Sequence, residues 1–258
     1  MWPLNLETYR KMLQTVIERR QTIRYREINA YQDFVLWRHD CDMSLNRARY
    51  IAEVDAEHGV ASTFFILPHS DFYNVLELGQ TKLIREISGL GHDIGLHLDV
   101  EYHSAVSEIF DIENAITKDK EILEDVAEVK IEAFSFHNPT TEMLKFNQGT
   151  YSGLINCYSK KIWDEVDYCS DSNGYWRHEP IPEVLQDTRR AKLQILTHPE
   201  WWLDETSLPR DHVLRCVYGR SVKVMNDYDQ AMSRFANREN IMSYDSQESD
   251  FERAFKLL

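Results

Sequence analysis

The chain has 258 residues, 43% hydrophobic and 28% charged, which is typical of a folded protein large enough to bury a substantial core. Its 29 lysines and arginines against 43 aspartates and glutamates give a formal net charge of −14, which argues against binding of nucleic acid and against docking on anionic lipid. The first residues lack a signal-peptide pattern, no apolar stretch reaches membrane-spanning length, and the four cysteines are widely spaced. We therefore expect a reduced, cytoplasmic setting.

Helix-like and strand-like patterns alternate along the chain. In chain order they predict a helix over 6–20, a strand over 34–40, a helix from Ser44 to Gly59, a strand over 62–67, a helix over 81–90, a strand over 93–98, a helix over 104–127, and strands over 133–136, 153–158 and 192–197. This alternation predicts an α/β fold with a mainly parallel sheet, either open or closed into a barrel. No composition shift marks a boundary, so we expect a single domain over 1–258 with a helical end over 205–258.

The first predicted strand ends in two acids. The sequence runs from Phe34 through Arg-His-Asp-Cys-Asp, and because strand side chains alternate, Asp40 and Asp42 point to one side with Cys41 turned away. Two carboxylates on one face repel each other unless a cation or a proton lies between them. A helix cap is an alternative reading, but Ser44 can supply that cap alone.

Three later predicted strands end in a histidine, namely His97, His137 and His198. The carboxyl ends of parallel strands share one rim, where reacting groups gather in α/β proteins. A single histidine at a strand end is more often a core residue with a satisfied hydrogen bond. Three of them together with an Asp pair predict a metal-dependent hydrolase site.

The motifs resemble those of a known family. The strings RHDCD, GHDIGLH, FSFHNP, SDSNGYWR and LTHPEWW occur in order over residues 34–203, and they resemble the polysaccharide deacetylases with NodB homology, in a divergent branch with RHDxD. The resemblance implies an irregular (β/α) barrel and a divalent metal, zinc by type. It makes Asp40 the catalytic base, Asp42 and His97 metal ligands, and His198 the general acid.

Two family positions differ in this chain. In the family, the histidine that corresponds to His97 is followed four residues later by a second histidine, and this chain has Glu101 there. We therefore expect His137 to complete the metal site, with Glu101 and then His103 as alternatives. The family's arginine beside the catalytic base is also missing from its usual motif. We expect Arg177 to replace it, ahead of Arg38.

The segment 170–177 is polar, contains a glycine and ends in aromatic residues. We expect it to cover the rim, where Trp176 stacks on a sugar and Asp171 or Arg177 binds hydroxyls or a carboxylate. Trp201, just after His198, is expected to wall the same pocket. The alternative is that these aromatics anchor the loop to the core.

The favoured function is hydrolysis of an N-acyl group, N-acetyl by preference, on a sugar or glycan precursor. One alternative is a metal amidohydrolase that acts on a non-sugar carbon–nitrogen bond. The other is a non-catalytic carbohydrate-binding relative whose metal site has decayed. A Rossmann-type cofactor enzyme is disfavoured, because no glycine-rich phosphate loop follows the first strand.

Overall fold

The computed structural model describes residues 2–107, 109–177 and 179–234. The chain divides into two compact units, Met1–Pro209 and Arg210–Leu258. In the described part of the second unit the only regular element is a long helix that begins at Pro209 and ends at Ser233. The predicted helical pattern beyond residue 234 lies outside the described residues, and the single domain stays a prediction.

The first unit alternates strands and helices, as predicted. Its strands are β1 (Thr22–Ile23), β2 (Phe34–Cys41), β3 (Thr63–Ile66), β4 (Asp93–Leu98), β5 (Ala133–Phe136), β6 (Thr150–Tyr151), β7 (Leu154–Asn156), β8 (Asp167–Ser170) and β9 (Lys192–Thr197). Its helices are α1 (Leu6–Arg19), α2 (Leu45–Glu57), α3 (Leu78–Gly89), α4 (Val100–Ala105), α5 (Ile112–Ala127), α6 (Lys160–Glu165) and α7 (Ile181–Gln186).

The strands form one nine-stranded sheet in the order β6-β7-β5-β4-β3-β2-β9-β8, with β1 paired to β2. Every pair is parallel except β6 with β7. All eight residues of β2 are buried, as expected for a central parallel strand covered on both faces. The carboxyl ends of β2, β4, β5, β8 and β9 therefore lie on one rim.

One face of the sheet packs against helices. Helix α2 begins at the N-cap Ser44, whose hydroxyl accepts from the backbone of Arg47, and the chain leaves it at Gly59, which has a φ of +71°. His39 points to this helical face, where its ring lies 2.8 Å from Asp55 and 2.7 Å from Thr197. His39 thus points away from Asp40, as the alternation of strand side chains requires.

The other face curls around a second core. Side chains of β2, β3 and β5 meet there, including Phe34 and Phe65, and Arg38 lies over the rings of both Phe65 and Tyr158. A Cβ added to Gly95 would lie 2.5 Å from the Phe65 ring, so the close approach of β3 and β4 requires glycine there. The predicted α/β irregular barrel is confirmed. Its two edge strands, β6 and β8, do not pair with each other.

The predicted single helix over 104–127 is wrong. Two helices occupy this stretch, because Asp99 caps α4 and Asp111 caps α5 through side-chain bonds to backbone N–H groups. In the described part of the chain, no helix is long and apolar enough to cross a membrane. Cys41, Cys157 and Cys169 are buried thiols.

Candidate active site

A cavity of about 870 Å³ opens at the carboxyl rim of the sheet. Its polar end is lined by four of the predicted site residues, Asp40, Asp42, His97 and His198. The topology explains this grouping, because β2, β4 and β9 each end beside the cavity and deliver one or two of these side chains.

Asp42, His97 and His137 form a compact cluster of potential metal ligands. The Oδ1 atom of Asp42 lies 3.1 Å from His97 Nε2 and 3.6 Å from His137 Nδ1, and the two ring nitrogens are 3.3 Å apart. Ligands at 2.0–2.1 Å from a tetrahedral zinc ion are separated by about 3.3–3.4 Å. The spacing and the Asp–His–His chemistry therefore fit a divalent first-row metal.

The surroundings of the cluster favour a cation. Asp42 Oδ1 is buried and makes no well-formed hydrogen bond in the described chain. Burial alone would raise the pKa of Asp42, but the neighbouring imidazoles of His137 and His97 hold it well below its usual range. The other nitrogen of His97 lies 2.7 Å from the Ser135 hydroxyl, which orients the ring so that Nε2 faces the cluster.

The two alternatives for the third ligand lie elsewhere. Glu101 is exposed on α4. His103 is buried, with its Nε2 atom 2.9 Å from Asp119. His137 is therefore the residue that joins Asp42 and His97, as preferred from the sequence.

Asp40 is paired with Arg38. The Arg38 guanidinium donates to the Asp40 carboxylate at 2.6 and 3.2 Å, and both side chains are almost fully buried. Although burial favours a higher pKa, the charges of Arg38 and the nearby imidazoles hold the pKa of Asp40 below its ordinary value. The prediction that Arg177 takes this place is wrong: residues two apart on a strand share a face, and Arg177 is an exposed residue elsewhere in the cavity lining.

His198 is held by Asp171. Its Nδ1 atom lies 2.7 Å from Asp171 Oδ1, and its backbone N–H donates to the same carboxylate. Burial by itself would lower the pKa of His198, but the Asp171 charge and hydrogen bond outweigh it and raise the pKa to about 10. The imidazole is thus cationic at neutral pH, with Nε2 turned toward the cavity side, 3.9 Å from Asp42 Oδ2.

Asp171 does not play the part that the sequence suggested. It is fully buried, and its second oxygen accepts from the Trp202 indole at 2.8 Å, so it orients His198 instead of binding substrate hydroxyls. Its contact with His198 was missed because β8, the strand that precedes it, was not predicted. That strand has two exposed and two buried residues, which leaves no apolar run to mark it.

The tryptophans of the predicted substrate surface pack in or against the core. Trp176 donates from its indole to the backbone oxygen of Trp2 at 2.9 Å and packs against Trp202. Trp201 is buried, with its ring 6.5 Å from that of His198. Neither lines the cavity, which corresponds to the alternative reading of these aromatics as anchors. The large aromatic residues of the cavity wall are Phe136, Tyr158, Trp163 and Tyr168.

Comparison with known proteins gives structural neighbours only. No family model and no curated protein matches the chain. The Xyl-CE4 domain of a multidomain xylanase from the Trinervitermes trinervoides hindgut metagenome matches with a TM-score of 0.44 and 12% identity, over 82% of this chain and 95% of its own. For the polysaccharide deacetylase Bc1974 of Bacillus cereus the TM-score is 0.45 and the identity 11%, over 75% and 89%. BA3943 of Bacillus anthracis, described as a pseudoenzyme, gives 0.39 and 16% over 76% and 62%.

The structural neighbours are polysaccharide deacetylases and esterases of carbohydrate esterase family 4, pseudoenzymes included. This is the family that the sequence motifs resemble. Because the identities and TM-scores are low, the function of this chain has to rest on its own residues.

Proposed function

We propose that the protein is a metal-dependent hydrolase that removes an N-acyl group, N-acetyl by preference, from a sugar or glycan precursor. The observation that carries this proposal is the joint placement of three units on one cavity. They are the Asp42–His97–His137 cluster, the Arg38–Asp40 pair and the Asp171–His198 pair. Metal ligands flanked by an ionised carboxylate and a cationic imidazole are the groups that hydrolysis of an amide requires.

Asp42, His97 and His137 are the residues that would hold the metal, and zinc suits one carboxylate and two imidazoles. When bound, the metal supplies a Lewis acid that polarises the acyl carbonyl and lowers the pKa of a water molecule. Ser135 keeps His97 in the orientation that presents Nε2 to this site.

Asp40 is suited to accept the proton of the attacking water. Its lowered pKa keeps it ionised at neutral pH, and its Oδ2 atom lies 3.7 Å from His97 Nε2, beside the ligand cluster. Arg38 holds the carboxylate in place through two hydrogen bonds. The pairing also limits rotation of Asp40, so the proton acceptor keeps one orientation.

His198 is suited to protonate the leaving amine. Amines leave poorly as anions, so a proton must reach the nitrogen as the carbon–nitrogen bond breaks. With Nδ1 engaged by Asp171, Nε2 is the ring atom that can donate into the cavity. Asp40 thus takes a proton from the attacking water, and His198 delivers one to the leaving amine.

The cavity supports a small polar substrate. Its volume of about 870 Å³ falls within the range of small-molecule sites. Trp163 and Tyr168 are exposed in its wall, and exposed aromatic rings offer stacking surfaces for the apolar faces of sugars. Ser170 and Asn138 supply neutral hydrogen-bonding groups in the same lining.

The test measures acetate release by metal-free and zinc-loaded protein from N-acetylated monosaccharides, oligosaccharides and sugar nucleotides. We expect zinc-dependent release from at least one sugar, and loss of that release in Asp40→Asn with zinc content unchanged. Asp164→Asn, a surface change on α6, is the matched control. Release from N-acetyl amino acids alone would instead favour a non-sugar amidohydrolase, and no release from any substrate at full zinc occupancy would contradict catalysis.

A further inference from the structure

A second cluster of metal-ligand side chains lies apart from the catalytic residues. It consists of His69, His103 and Asp119. His69 Nε2 lies 2.9 Å from one oxygen of Asp119, and His103 Nε2 lies 2.9 Å from the other. The three residues come from the segment after β3, from α4 and from α5, so they join three separate parts of the chain.

Asp119 is a buried carboxylate whose two ion-pair partners in the described part of the chain are imidazoles. It is 1% exposed, and within the described ranges no lysine or arginine forms an ion pair with it. A buried carboxylate is costly unless a positive charge compensates it. A divalent cation among the three groups compensates this charge and takes both imidazoles as ligands.

The imidazoles are held in position. The His69 ring stacks on Tyr102 with centroids 3.6 Å apart, and His103 is 7% exposed on α4. Both present the same atom, Nε2, to the carboxylate. Two imidazoles and one carboxylate form a donor set that binds zinc and neighbouring first-row ions in preference to calcium or magnesium.

We propose that His69, His103 and Asp119 bind a second divalent metal ion, of the zinc class, with a structural role. The segment that carries His69 also carries Ser70, whose hydroxyl donates to the backbone oxygen of Asp42 at 2.8 Å. The metal thus ties α5 to the segment that supports the Asp42 turn. The proposal is independent of the hydrolytic function, since it uses none of the catalytic residues.

The experiment uses the full chain with the rim site removed by Asp42→Ala and His97→Ala. After chelation and reloading with zinc, elemental analysis should find about one zinc ion per chain in this rim variant and about two in the wild type. Zinc at 100 times its Kd should raise the thermal midpoint of the rim variant by about 5–10 °C.

A further His103→Gln substitution separates a metal from a hydrogen bond. Glutamine can still donate to Asp119, so a purely hydrogen-bonded cluster would tolerate the change, whereas the metal site should lose its zinc and the thermal shift. His58→Gln, whose ring contacts only the Val54 backbone oxygen among the described hydrogen bonds, is the matched control and should keep both.

Two results would overturn the proposal: a rim variant that binds no zinc, or one whose zinc content is the same with and without His103→Gln. Should the combined variant fail to fold, cobalt substitution of the rim variant alone decides the question. A visible spectrum of cobalt bound by nitrogen and oxygen ligands supports the site, and the spectrum of free aqueous cobalt refutes it.

Discussion

Arg38 and Asp40 are two residues apart on β2, and their charged groups meet inside the curled sheet at 2.6 Å. The pairing follows from strand geometry, which places both side chains on the same face. The charge that lowers the pKa of Asp40 therefore comes from its own buried strand and not from a loop.

Replacing Arg38 with methionine should raise the pKa of Asp40, because the compensating charge is lost while burial remains. The acid limb of kcat/KM should move to higher pH, and kcat at neutral pH should fall by about 10²–10⁴-fold. Unfolding free energy should fall by about 3–5 kcal/mol, the cost of leaving a buried carboxylate unpaired. Arg177→Gln is the control, and an acid limb that moves equally in both variants would refute the pairing as its cause.

Replacing Asp171 with asparagine should move the alkaline limb of activity to lower pH, because the raised pKa of His198 depends on that carboxylate. The same pair predicts a pH dependence of stability. His198 has a pKa of about 10 in the folded chain against a reference of 6.5, so its stabilisation is complete below pH about 6.5, declines above it and is gone above pH about 10. Denaturant titrations of metal-free protein over this window should show the decline in wild type and a flatter profile in Asp171→Asn. An unchanged slope would contradict the coupling.

His137→Gln should reduce zinc affinity at the rim by about 100-fold or more. Loss of a residue that only hydrogen-bonds to a metal ligand already costs about 10–100-fold in affinity, and loss of a ligand should cost at least as much. Glu101→Gln should leave the affinity unchanged, because Glu101 is exposed on α4. Competition titration with a chelating dye measures both. The reverse order of effects would make Glu101 the ligand.

Gly95→Ala should destabilise the protein by about 1–3 kcal/mol through overpacking against Phe65, where the added Cβ would lie 2.5 Å from the ring. Gly89→Ala, at a position where an added Cβ meets nothing within 4 Å, is the matched control. Urea unfolding compares them, and equal stabilities would show that the sheet relaxes at Gly95 without cost.

The sequence was sufficient to find the rim residues that follow apolar strands. His97, His137 and His198 each lie at or directly after the carboxyl end of a largely buried strand, so their common position could be predicted. The role of Asp171 beside His198 could not, since β8 has no alternating or continuous apolar pattern by which to recognise it. Its hydrogen bond to His198 spans 27 positions, and a single sequence carries no signal of such a contact.

The aromatic residues show a different limit. Composition alone does not distinguish a tryptophan that stacks on a ligand from one that anchors a loop. Trp176 and Trp163 are each followed directly by a charged residue, yet Trp176 packs against the core while Trp163 is 64% exposed at the cavity. That difference is a property of the tertiary structure.

Hydrolysis as proposed depends on a metal ion that Asp42, His97 and His137 bind together. An anomalous difference map at the zinc edge, from crystals of the zinc-loaded protein, tests this directly. We expect a strong peak bounded by Asp42 Oδ1, His97 Nε2 and His137 Nδ1. A map from a fully loaded crystal with no peak at this position would contradict it.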